Sequence, residues 1–171
     1  MWDEITSSVA TASPLWADAL LPEERQSRTA VFSALAPVDH RIGLETIYEG
    51  YLVHYGRSRL FAPDGEDTAL LLGDHLYAQG LVLIAERGDV AAVADLAELI
   101  SLCAQGRAEG RDGDGAAWAA TAALLGAGGL EPARDELRVR GDARGLEGLA
   151  REAAGHDPVD AALAAHARLV G

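Results

Sequence analysis

Apolar residues recur at steps of three and four along most of this chain, and no segment alternates apolar with polar as a half-buried strand does. The clearest case lies between residues 40 and 60. There Leu44, Ile47, Tyr48, Tyr51, Leu52 and Tyr55 fall on one face of a single helix. The turn Ala62-Pro63-Asp64-Gly65 closes that unit. A second long helix is predicted from Glu66 to about Glu86. Its sequence, LLLGDHLYAQGLVLIA, is apolar enough that burial on most sides is expected. Gly88-Asp89 stops it and caps a third, which runs over 90–105 with Val90, Val93, Leu96, Ala97 and Ile100 aligned.

Shorter signals fill the rest. Ser13-Pro14 places a capping serine before a proline at the first helical position. Pro22-Glu23-Glu24 predicts a helix that continues through Val31, Phe32 and Leu35 and stops before Pro37, with Asp39 set to cap the next. GRAEGRDGDG, residues 106–115, reads as a glycine-rich loop. Residues 116–126 read as a helix ended by GAGG at 126–129. Two more are predicted over 132–154, with a break at Gly141, and over 158–169. The expected architecture is all-α: one domain, 1–171, of seven or eight helices without internal repeats.

Composition sharpens this picture. Alanine and leucine dominate and aromatics are only 5% of the 171 residues, a bias toward helix. Twenty-seven acids against fourteen cations give a net charge of -13. That excess argues against a nucleic-acid binder and disfavours attachment to anionic lipid. All fourteen cations are arginines, so lysine Schiff-base chemistry is excluded. Cys103 is the lone cysteine; it allows no internal disulfide and fits a reducing compartment. MWDEITSSVA lacks an apolar signal core, and AAWAATAALLGAGGL (116–130) is too short and glycine-rich to cross a bilayer. A soluble, cytoplasmic protein without a membrane span is expected.

Motifs of familiar chemistry are incomplete. Asp112-Gly-Asp114-Gly starts like a calcium loop, but Ala116 and Ala123 stand where oxygen ligands belong. His40, His54, His75, His156 and His166 lack the paired spacing of a zinc hydrolase, and GAGG lacks the context of a dinucleotide fingerprint. Asp157-Pro158 and Asp160 read as a helix start. No metal and no cofactor are expected. Two features stand apart. Asp74 lies inside the most apolar helix, where a carboxylate needs a partner. It is either a structural acid or a ligand contact, and with His75 it marks where an acid–base site would lie. The second feature is LVHYGRSRLF, 52–61, which holds His54, Arg57 and Arg59 and no acid. It reads either as a solvated helix end, whose arginines suit the helix dipole, or as an anion site, because arginine forks match phosphate oxygens.

From Gly73-Asp74 onward, LLLGDHLYAQGLVLIAERGD (70–89) resembles the Gly-Asp helix of the all-trans polyprenyl diphosphate synthases, which have the isoprenoid synthase fold. VAAVADLAELISLCAQGRAEG (90–110) is similar to that family's next helix, and AAWAATAALLGAGG (116–129) resembles its Lys-Thr-Ala helix without the lysine. The resemblance covers roughly residues 40–130 and is specific around 70–86. Leu52-Val53-His54 match the lead-in to the family's magnesium-binding aspartates, but Tyr55, Gly56 and Arg59 stand where the acids belong. Without carboxylates to hold magnesium, the charge of a diphosphate leaving group goes unneutralised.

The resemblance therefore implies a non-catalytic relative: an accessory subunit that partners a catalytic polyprenyl synthase, in a homo- or hetero-oligomer, its helices bounding an apolar tunnel. Tyr48, Tyr51 and Tyr55 would face that tunnel. The alternative is a helical protein that binds an isoprenoid or another apolar ligand, with Arg57 and Arg59 at the headgroup.

Overall fold

The computed structural model describes residues 1–170. Among these the chain is all-helical, with nine α-helices and no strand. They are α1 (Trp2–Ala12), α2 (Pro14–Asp18), α3 (Arg41–Tyr55), α4 (Glu66–Ala85), α5 (Val90–Ala108), α6 (Asp114–Ala123), α7 (Glu131–Arg140), α8 (Arg144–Ala154) and α9 (His156–Val170). Several boundaries follow the local chemistry read from the sequence. Ser13 caps α2 by accepting the Leu15 N–H, and Asp89 caps α5 by accepting the Ala92 N–H. Gly141 adopts φ 68°, the left-handed conformation that ends α7 where a break was predicted.

The helix expected over 23–36 does not form. In its place stand 3₁₀ turns at Glu23–Arg25 and Ser33–Leu35, joined by irregular chain. Two causes are visible. Ser27, Thr29 and Val31 are weak helix formers. A tertiary acceptor also competes, because the buried Glu45 carboxylate takes the Val31 N–H and the Ser33 hydroxyl. Asp39 likewise caps nothing; it sits in a 3₁₀ turn, and α3 begins without a side-chain cap.

α3 and α4 pack antiparallel at close range, and glycines permit it. A Cβ on Gly80 would lie 2.4 Å from Ile47 Cγ1 and 2.7 Å from the Gly43 carbonyl; one on Gly50 would lie 2.9 Å from the Gly73 carbonyl. α4 is not buried on most sides, contrary to its composition. Only the strip Leu72, Gly73, Leu76, Gly80 and Ile84 is buried, and Leu70, Leu71 and Val82 are each about 55% exposed. α4 is also the one described helix long and apolar enough to cross a membrane by length and composition, a role weighed from sequence for 116–130 alone.

α5 continues three residues beyond its predicted end. It buries Ala92, Leu96, Leu99, Leu102 and Cys103, while Val90 faces solvent. α6 is short and almost wholly buried, built of alanines around Trp118. A second apolar cluster ties α1 to the bundle through Ile5, Val9, Leu60, Phe61, Leu72 and Leu76.

Candidate binding groove and the buried polar network beside it

Glu45 and Glu49 lie one turn apart on α3, within its buried stretch, and neither side chain is exposed to solvent. Arg59 answers both. Its Nη2 is 2.7 Å from Glu45 Oε2 and its Nε 2.9 Å from Glu49 Oε2, while Nη1 donates to the Thr29 carbonyl at 2.7 Å. Glu49 Oε1 also accepts the N–H groups of Arg59 and Leu60 and the Ser58 hydroxyl. Burial alone would lower the Arg59 pKa, but the two carboxylates outweigh it and raise it further. Arg59 is thus a clamp inside the fold, with its donors committed. The anion role expected of it is corrected here. A pair of glutamates at i, i+4 on an otherwise apolar face was the sequence signal that a buried cation had to follow.

His54 and Asp74 do meet, at 3.3 Å between Nε2 and Oδ1. The acid is not buried, as its helix suggested; its side chain is 66% exposed. His54 lies over Gly73 and against Tyr55 and Tyr77. Burial lowers its pKa, and Asp74 offsets this only in part. His75 points elsewhere and stacks on Trp16, as adjacent helical residues do not share a face. Asp74 and His75 therefore do not form an acid–base pair.

Tyr48 and Tyr51 line no tunnel. Both are fully buried in an aromatic block with Phe32, Trp118 and His166. Tyr55 packs against Tyr51 at its edge, the rings tilted by 50°. A polar chain runs through the block. The Tyr48 hydroxyl is 2.9 Å from His166 Nδ1, and His166 Nε2 is 3.5 Å from Asp114 Oδ1. Asp114 also accepts from Tyr51 and Arg107, so the calcium-like loop spends its acid on side chains of α3, α5 and α9. Burial would push the Asp114 carboxyl up, yet the nearby His166 ring, the Tyr51 hydroxyl and the Arg107 guanidinium hold it well below the usual range. A cavity of about 20 Å³ beside Cys103 and Asp114 has room for about one water and no more. Among the described residues no group of three or more His, Cys, Asp or Glu is placed to hold a metal ion.

A larger hollow lies around the turn that follows α3. It is a groove of about 570 Å³ whose apolar lining includes Leu21, Val53, Phe61, Pro63 and Leu169, and whose polar lining includes Arg25, Ser27 and Arg57. A second hollow of about 200 Å³ shares Ser27 and Arg57 with it and adds Thr29 and Arg168. Among the described residues no carboxylate lines either one, in a chain with twenty-seven acidic side chains.

Backbone bonds bring the three parts of this region together. The Leu169 carbonyl accepts the Arg57 N–H at 2.7 Å, and the Arg59 carbonyl accepts the Ser27 N–H at 3.0 Å. Gly56 allows the end of α9 to lie against the turn, since a Cβ there would meet the Leu169 carbonyl at 2.7 Å. Nine of the fourteen arginines are in ion pairs among the described residues, which leaves Arg25, Arg41, Arg57, Arg87 and Arg168. Three of those five line these hollows. Of the predicted anion residues, then, Arg57 lines the groove without an ion pair, Arg59 borders both hollows but its charge is answered by Glu45 and Glu49, and His54 lies outside them against Asp74. Arg25, Ser27, Thr29 and Arg168 were not foreseen, because they come from segments distant in sequence.

No family model matches the chain, and comparison with curated proteins and with solved structures gives no match either.

Proposed function

We propose that this protein is a non-catalytic helical binding protein that holds an apolar molecule with an anionic head in the groove beside the 56–59 turn. The carrying observation is the lining: apolar side chains together with unpaired arginines, and no acid. Arg57 borders both hollows, with Arg25 on one and Arg168 on the other, and cations without carboxylate partners favour a bound anion. The apolar lining suits a hydrocarbon body, since binding sites are mostly apolar with a few placed polar groups. Purification without detergent followed by native mass spectrometry tests this. The expected result is an additional mass, released on denaturation, that diminishes in Arg57→Ala. A protein without adduct that also fails to take up an added anionic amphiphile would overturn the reading.

A second reading has its own observation. The outer faces of α4 and α5 expose Leu70, Leu71, Val82 and Val90. Exposed apolar patches of this kind mark interaction surfaces. They favour an accessory subunit that docks on a catalytic polyprenyl synthase, as the sequence resemblance suggests. Its role would be steric, since Tyr48 and Tyr51 are packed too tightly to bound a tunnel of their own. Co-expression with a full-length synthase tests this; association with altered product length is expected, and separate elution with unchanged products would sink it.

A further inference from the structure

We infer that the charged end of the groove selects a phosphate monoester over a carboxylate, so that the ligand is a single-chain amphiphile with a phosphate head. This rests on the binding reading above and names its ligand class. A carboxylate carries one charge and two oxygens, which one guanidinium fork saturates. A phosphate monoester carries close to two charges at neutral pH and three terminal oxygens. Three arginines without carboxylate partners border the two hollows, which suits the larger demand. Arg57 lines both hollows, Arg25 opens on one and Arg168 on the other.

Neutral donors are present too. Ser27 lines both hollows and Thr29 the smaller, and neither hydroxyl is used by another protein group, whereas the Ser58 hydroxyl is spent on Glu49. The apolar lining at Leu21, Val53, Phe61 and Pro63 belongs to the larger hollow alone. The head is therefore placed at the Ser27–Arg57–Arg168 end and the chain at the other. Among the described residues no histidine or carboxylate lines either hollow, and Arg59, which borders both, stays charged. Any pH dependence of binding near neutrality thus reports the ligand's own second ionisation, which falls near pH 6.

Calorimetric titration of the full chain with dodecyl phosphate, dodecanoate, dodecanol and inorganic phosphate, each below its micelle threshold, tests the inference. At pH 7.5 dodecyl phosphate is expected to bind about tenfold or more tighter than dodecanoate, a preference of about 1.4 kcal/mol. That preference should shrink at pH 5.5 as the phosphate gains its second proton. Arg57→Ala should weaken dodecyl phosphate about tenfold, with smaller losses for Arg25→Ala and Arg168→Ala. Arg87→Ala, unpaired but outside the groove, should bind as the parent does. Equal affinity for dodecyl phosphate and dodecanoate would overturn the selection of phosphate and leave the binding reading standing. Failure of all the dodecyl compounds, or dodecanol binding as well as both anions, would overturn the binding reading itself. Inorganic phosphate binding as tightly as dodecyl phosphate would keep the head site and remove the apolar ligand.

Discussion

Two arginines separated by one serine have opposite fates, and burial decides which. Arg59 is 3% exposed and held by two carboxylates and a carbonyl. Replacing it with leucine would leave Glu45 and Glu49 charged, adjacent and unpaired in the interior. A loss on the order of 3–5 kcal/mol is expected, readable as a lower urea midpoint. Arg57 is exposed and in no ion pair, so Arg57→Ala should stay within about 0.5 kcal/mol of the parent by the same measurement. If the two variants proved equally stable, the clamp would not exist. Sequence alone gives both residues the same neighbourhood. What separates them is the pair of glutamates on the preceding helix, which is buried on every side from Gly43 to Leu52 and not on one face alone.

Glycine does opposite work in different helices. In the α3–α4 pair it is a packing residue. Gly80→Ala would drive a methyl into Ile47 and the Gly43 backbone, and overpacking typically costs about 1–3 kcal/mol, more than the ~1 kcal/mol gained in helix propensity. A net loss of stability is expected. Gly148, inside α8, has open space where a Cβ would go, so Gly148→Ala should stabilise by up to about 1 kcal/mol. Thermal melts of the two single variants check both signs. The contrast also explains why α4 misled: its apolar residues surround it, but only the glycine-bearing strip finds a partner. α4 was legible as an element and illegible as an orientation.

For the whole molecule, acid should act in two stages. Burial lowers the pKa of His54 and of His75 below the ordinary value near 6.5. The unfolded chain therefore takes up protons first, and stability present above pH ~6.5 is lost as the pH falls through that window. His54→Gln should flatten this dependence, measured as the urea midpoint between pH 7 and pH 5. An unchanged slope would remove His54 as its source. The Asp114 carboxyl is depressed, so its contribution is complete above pH ~4 and declines only below it, as the chain Tyr48–His166–Asp114–Arg107 loses its one negative charge. Since that chain joins α3, α5, α6 and α9, the second stage should loosen the bundle as a whole.

The sequence determined the helical class, the caps at Ser13 and Asp89, and the break at Gly141. These depend on residues within a turn or two of each other, where propensity and periodicity act. It could not assign 26–36, where a glutamate fourteen residues downstream competes for the backbone, nor foresee that Tyr48 and Tyr51 close the space they were expected to line. Tertiary structure alone decided the groove. Arg25, Arg57 and Arg168 lie far apart in the chain, and they come to border adjoining hollows only once α9 docks against the turn after α3. Local patterns carry no record of such a meeting, because what places each arginine there is the packing of other residues.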